Sequence, residues 1–428
     1  MNTYVRLIAM LGLAALVTTL VLVAQTPTFV PNYDEAKVGN YTLPDPLKMN
    51  DGMPVKTAPQ WRKRRAELLE LFAREVYGRT PSQRVTVSAQ TTKTETKAVN
   101  GLATRREITL TMLGKDLHLL LYTPNNAKGR VPVFVNLNFN GNHSIEKDTS
   151  LTLATSWLAD TKDGSVVNNR ATEKARGNAL GRYPLEMILK RGYALATIHA
   201  SEAFPDHKDG LKDSFAPLTF RKGQTALAAD DWNALGVWAW SLSRVVDYLE
   251  RDRAIDAKRI AVIGHSRMGK ATAWAAAQDA RFALVILNES GEGGAALARR
   301  NWGENVWRIN NAFPHWFNGN FKKYSDDPNK LPTDQHELLA LIAPRPLYVA
   351  SAVEDQWADP HGEFLSAQAA SVVYRLLGRE GIAANATMPD LHRPIMTTVG
   401  YHIRAGKHDV TDYDWEQYLN FADRHLGR

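Results

Sequence analysis

The sequence predicts an α/β fold in which a mostly parallel central sheet is covered by helices on both faces. Three observations predict it. Short apolar runs that read as strands alternate along the chain with segments of helical spacing, the pattern of a buried parallel sheet. Each polar cluster that carries chemistry lies just after such a run, where sites form in open α/β sheets. The chain has 428 residues, 44% of them apolar, ample for one large α/β domain or two smaller ones.

The elements follow in order. Arg6 precedes an apolar run from Leu7 to Ala24, broken by Gly12, Thr18 and Thr19, after which the chain turns polar. Residues 1–25 therefore read as a secretory signal peptide. Leu22 is large for a cleavage position and the run is long enough to cross a bilayer, so an uncleaved anchor is the alternative. Residues 26–58, rich in Pro, Asn and Gly, form an extended lead-in. From residue 59 to 428 a single catalytic domain is expected. Gln60–Tyr77 spaces Leu68, Leu69, Leu71, Phe72 and Val76 as a helix does, with Gly78 as its stop. Val85–Val87, Arg105–Met112 and Leu117–Thr123 alternate or carry β-branched residues and read as strands. Val131–Leu137 is a continuous apolar strand followed by a polar loop. Tyr183–Arg191 reads as a helix and Tyr193–Ile198 as a strand. Ala229–Arg251 is a long amphipathic helix. Ile260–Ile263, Phe282–Leu287 and Arg345–Ser351 are further strands, Ala271–Ala277 a helix, and Tyr413–Leu426 the closing helix.

Composition excludes several functions. The formal charge is +7, but 52 basic and 45 acidic residues are interspersed, without the basic block that grips nucleic acid. Arg62-Lys63-Arg64-Arg65 falls within a helix and reads as a solvated face. There is no cysteine, so disulfides, zinc–thiolate sites and a cysteine nucleophile are ruled out.

The most informative stretch is Arg259–Lys270, where a strand runs into Gly264-His265-Ser266-Arg267-Met268-Gly269. A serine on the tight turn between strand and helix is a nucleophile elbow, the mark of an α/β-hydrolase three-layer sandwich. The second glycine comes one residue later than the usual Gly-x-Ser-x-Gly. The competing reading is a serine that caps the next helix.

A serine hydroxyl needs a base, and the base an orienting acid. On this scaffold the chain order is Ser, acid, His. His408 lies in a loop just before the closing helix, where the base belongs. His402 sits in the strand-like Tyr401–Arg404 and reads as a packed, hydrogen-bonded residue. Glu289 and Asp355 end successive strands, and adjacent parallel strands lie only ~5 Å apart, so either reaches the same histidine. Arg267 supplies the backbone N–H after the nucleophile and a guanidinium for the oxyanion; Lys270, one turn on, points to the same pocket.

Gly264-His-Ser-Arg-Met-Gly-Lys270, Asn288-Glu-Ser-Gly-Glu-Gly-Gly-Ala-Ala296, Glu354-Asp-Gln-Trp-Ala-Asp-Pro360 and Gly400-Tyr-His-Ile-Arg-Ala-Gly-Lys-His408 together resemble a glucuronoyl esterase of carbohydrate esterase family 15, of the bacterial kind. The resemblance runs from Leu43 to the C-terminus. It implies Ser266 as nucleophile, His408 as base and Glu289 as acid, with Asp355 as the alternative acid that some bacterial members use. It also implies Arg267 at the oxyanion, and Lys270, Trp357 and Glu304 around the sugar. The implied reaction hydrolyses the ester between 4-O-methyl-glucuronic acid of glucuronoxylan and a lignin alcohol through an acyl-enzyme, without metal or cofactor. A secreted or periplasmic monomer with no protein or nucleic-acid partner is expected.

Two other readings compete. An acetylxylan or general carboxylesterase shares the triad but has no use for Arg267 and Lys270. A non-catalytic carbohydrate-binding module would keep the fold and misalign the triad. Gly291-Glu-Gly-Gly-Ala-Ala296 imitates a dinucleotide fingerprint, yet no acid closes a second strand beyond it.

Overall fold

A computed structural model describes residues 29–427. The expected signal or anchor segment lies outside the described residues. Pro31–Arg428 form one compact unit; of Met1–Val30, only Phe29 and Val30 are described. Among the described residues no helix is long and apolar enough to cross a membrane.

The strands are β1 (Ser88–Ala98), β2 (Ala103–Met112), β3 (Lys115–Pro124), β4 (Val131–Asn138), the short pair β5 (Val166–Val167) and β6 (Arg170–Ala171), β7 (Ala194–His199), β8 (Ile255–His265), β9 (Leu284–Asn288), β10 (Leu347–Ala352), β11 (Ile395–Met396) and β12 (Val399–Arg404). The helices are α1 (Ala58–Phe72), α2 (Leu185–Lys190), α3 (Ala200–Ala203), α4 (Ala234–Leu249), α5 (Arg267–Gln278), α6 (Val306–Ala312), α7 (Gln335–Ala340), α8 (Pro360–Leu376) and α9 (Asp412–Leu426). Ten strands form one sheet in the order β1-β2-β3-β7-β4-β8-β9-β10-β12-β11. The six from β7 to β12 are mutually parallel, and the flanking ones pair antiparallel. This is the three-layer α/β-hydrolase architecture expected.

Strand alternation builds both outer layers. Ile260 and Val262 of β8 point into a core shared with α1, α4, α5, α7 and α8. Ala261 and Ile263 point the other way, against α2 and α9. Apolar side chains on both faces explain why the parallel strands read as continuous apolar runs.

The expected elements form with shifted ends, and two differ more. Val85–Val87 is extended but outside the sheet; the first strand is the next segment, Ser88–Ala98, in which every residue but Ala98 is exposed. With neither face covered, it carries no apolar alternation. The helix expected over Ala229–Arg251 starts only at Ala234, because the residues before it run alongside Arg79 in an isolated bridge with Asp231. There Gly78 is required: a Cβ would lie 2.2 Å from Trp232 Cα.

Candidate active site

Ser266 sits between β8 and α5 with φ 56° and ψ −135°, a strained conformation for a residue with a side chain. Its side chain makes no capping hydrogen bond to α5, so the helix-cap reading fails. The turn is held from the backbone: Ser266 N–H donates to Asn288 O (2.9 Å) and Gly269 N–H to Ser266 O (2.8 Å). The glycines are needed for close approach. A Cβ on Gly264 would lie 2.4 Å from Met268 O, and one on Gly269 would lie 2.7 Å from Ser290 Cβ. The late glycine is therefore where α5 crosses the loop after β9.

Three strand ends bring the remaining groups to this serine. His408 stands in the loop between β12 and α9, and with Ser266 it lines a cavity of about 240 Å³. No hydrogen bond joins the two side chains, and such contacts commonly tighten only with substrate bound. His408 Nδ1 faces two carboxylates at once, Asp355 Oδ2 at 2.6 Å and Glu289 Oε2 at 3.1 Å. The expected acid, Glu289, and its alternative are thus both present, but Asp355 holds the hydrogen bond. Glu289 is engaged elsewhere: Arg404 Nη2 donates to Oε1 (2.6 Å) and the Asp409 N–H to Oε2 (3.0 Å). Burial pushes Glu289 up to about 7, against the pull of His408 and Arg404. Burial would lower His408, but its bonds to Asp355 and Glu289 and their charges carry it up to about 9.

Two groups near the histidine are absent from the sequence reading. His265 packs against His408 with the rings tilted (4.4 Å between ring centres, 36°) and binds Asn288 Oδ1 through Nδ1 (2.5 Å). Burial holds it well below the ordinary histidine value, so it stays neutral. Arg404 also donates to the carbonyls of Ala405, Lys407 and Asp409, which shapes the loop around His408. His402, as expected, is a packed residue between Tyr348 and Asp414.

Arg267 lines the cavity with its guanidinium 4.5 Å from the Phe139 ring centre and 5.9 Å from that of Trp316. Its Nε pairs with Asp206 at 2.5 Å. Asp206 also accepts from Trp316 Nε1 (2.8 Å) and binds His315 Nε2 (2.9 Å), so one carboxylate fixes both the arginine and a ring of the cavity wall. Asp206 was not legible because it belongs to a loop far from the motifs it serves.

Lys270 also lines the cavity, but its three ammonium donors are all taken, by Ser290 O (2.9 Å), Glu292 O (2.5 Å) and Glu304 Oε2 (2.7 Å). It holds Glu304 against the cavity wall, and Glu304 N–H donates to Trp357 O (2.9 Å). Trp357, Trp316 and Phe313 complete an aromatic wall. Each site residue expected from the sequence therefore lies at one cavity except Asp355, which stands behind His408.

His265, Glu289 and His408 bring ligand-type atoms within 4.8 Å of one another. Asn288, Arg404 and the Asp409 amide already occupy two of those three side chains, so the cluster is built as a hydrogen-bonded acid–base assembly.

A strained serine at a strand-to-helix turn and a carboxylate-bound histidine, both lining one cavity at the carboxyl edge of a parallel sheet, belong to the α/β-hydrolase fold class. The family model for fungal glucuronyl esterases matches residues 227–378. Carbohydrate esterase MZ0003 from an unknown prokaryotic organism is 47% identical over 403 residues, 92% of each chain. A 4-O-methyl-glucuronoyl methylesterase of Schizophyllum commune is 27% identical over 366 residues, 82% of this chain and 77% of that one. A solved glucuronoyl esterase from Solibacter usitatus aligns with TM-score 0.87 and 48% identity, covering 92% of this chain and all of that one. The chain belongs to the glucuronoyl esterases of carbohydrate esterase family 15, and it is a carboxylic ester hydrolase.

Proposed function

We propose that the protein hydrolyses the ester between 4-O-methyl-glucuronic acid of glucuronoxylan and lignin alcohols, with Ser266 as nucleophile and His408 as base. The observation that carries this is the convergence of Ser266, a doubly carboxylate-bound His408 and Arg267 on one aromatic-walled cavity. His408 Nε2 takes the Ser266 proton as Oγ attacks the glucuronoyl carbonyl. The Arg267 N–H and guanidinium stabilise the oxyanion. The alcohol leaves with the proton from His408, and water, activated by the same histidine, releases the uronic acid. Asp355 orients His408, and Glu289 supports it as a second carboxylate. Trp357 and Trp316 pack on the sugar ring, while Glu304, held by Lys270, meets its hydroxyls. The reading includes export, carried by the apolar run Leu7–Ala24.

The test is Ser266→Ala assayed on the methyl ester of 4-O-methyl-glucuronic acid. The loss expected in kcat is at least about a thousandfold. An unchanged rate sinks the assignment. Faster turnover of p-nitrophenyl acetate than of the glucuronate ester by the wild-type enzyme would favour a general carboxylesterase instead.

A further inference from the structure

The lead-in of the chain, which no motif covers, is tied to the cavity wall from both sides of one exposed aromatic residue. Tyr33 keeps 48% of its surface accessible and is the aromatic among the large exposed hydrophobic side chains of the described residues. Its ring stands edge-on to buried Trp302 (6.1 Å, 67°). Trp302 Nε1 donates to Gln356 O (3.0 Å), one residue before Trp357 of the cavity wall. Just before Tyr33, Asn32 O accepts from Gly303 N–H (3.0 Å), one residue before Glu304. Gly303 fits there only without a Cβ, which would lie 2.5 Å from Trp357 O.

Just after Tyr33, Glu35 binds buried Arg300 with both oxygens (2.7 and 3.3 Å) and His361 Nδ1 (2.9 Å). Arg300 Nε passes the tie on to Asp359 Oδ2 (2.8 Å), at the start of α8. The strap therefore spans the two segments that carry Glu304 and Trp357. Partial burial and the charge of Asp355 both raise the Tyr33 hydroxyl.

We propose that Tyr33 is a sugar-binding platform at the mouth of the site, seating the sugar unit next to the uronic acid on the polymer. This rests on the glucuronate-ester reading above. An ester carried on a polysaccharide continues past the 240 Å³ cavity, so the neighbouring pyranose emerges at its rim. An aromatic ring offers an apolar face to the C–H face of a pyranose and a hydroxyl to its oxygens. The ties at Asn32 and Glu35 hold the segment in place before substrate arrives, which lowers the ordering cost of binding.

The experiment compares two substrates, the methyl ester of free 4-O-methyl-glucuronic acid and the same ester borne on a xylo-oligosaccharide. Tyr33→Ala is expected to raise KM about fivefold on the oligosaccharide ester, with kcat and the KM for the free ester unchanged. Tyr33→Phe keeps the ring but loses the hydroxyl, and should raise KM on the oligosaccharide ester by less than Tyr33→Ala while matching wild type on the free ester. Glu35→Gln, which loosens the strap, should raise KM for the oligosaccharide ester by a smaller factor. Equal rises on both esters, or none on the oligosaccharide, overturn the proposal. Titrating the de-esterified oligosaccharide into Ser266→Ala, with and without Tyr33→Ala, reads the platform by Kd alone; equal Kd values also overturn it. Turnover surviving in Ser266→Ala would instead remove the reacting-site reading and leave the Tyr33 comparison standing.

Discussion

One imidazole nitrogen with two carboxylates is the decisive arrangement at the residue scale. Nδ1 of His408 has one proton to share, and it lies closer to Asp355, at 2.6 Å, than to Glu289, at 3.1 Å. Both carboxylates favour the protonated ring, so free enzyme with His408 near 9 gains kcat/KM as pH rises and the base is freed. Asp355→Asn removes a raising partner. The acid limb of its kcat/KM profile should move to lower pH, while the plateau of kcat falls by about a hundredfold, with Glu289 as the remaining acid. Glu289→Gln should shift the limb the same way with a smaller loss of kcat. A limb that stays put in Asp355→Asn would remove that residue from contact with the base. The sequence names this pair and, through the family resemblance, puts Glu289 first, whereas the hydrogen bond from His408 goes to Asp355. Asn288 and Ala350 are register partners in adjacent parallel strands, so the acids that follow them emerge side by side. The ranking is made by Arg404, which draws Glu289 away, and a strand-end arginine has no local spacing that reveals such a role.

At the scale of elements, the elbow was legible because its constraints are local. Gly264 and Gly269 sit where a Cβ cannot go, and the strand and helix on either side are strongly patterned. Gly264→Ala should cost about 3 kcal/mol or more in denaturant unfolding, because the new methyl meets backbone that cannot yield; a variant as stable as wild type would refute the close approach. Helix α8 was not expected although it is 17 residues long. Half of its buried positions are Gly, Ala or Ser, which leave a weak apolar period, while its start signals, Asp359 as cap and Pro360 at the first position, were readable. Strand β1 was missed for the opposite reason, since it is polar on both faces.

For the whole molecule, pH stability is set partly by acids buried far from solvent. Glu363 on α8 bridges the loop after β9 to β10: Oε1 accepts from Gly291 N–H (3.0 Å) and Oε2 from Ser351 Oγ (2.6 Å). Burial pushes it up to about 8 despite those bonds. A carboxyl raised in the fold favours folding while protonated. Its contribution is full below the unfolded value, near 4.5, and is lost as pH climbs through 8. Glu363→Gln keeps an acceptor for Gly291 and cannot ionise. Its Tm should match wild type near pH 4 and exceed it by a growing margin as pH rises to 9. A variant no more stable at pH 9 would mean that the buried acid carries no such penalty.

The polar strand β1 has a consequence for the protein in company. Among the described residues it is the outer strand of a ten-stranded sheet and pairs with β2 alone. Lys93, Glu95 and Lys97 in its second half place charges where an incoming strand would dock. Replacing them with valine should favour edge-to-edge association, visible as thioflavin fluorescence and a growing light-scattering radius; a variant that scatters like wild type would refute this role for the charges.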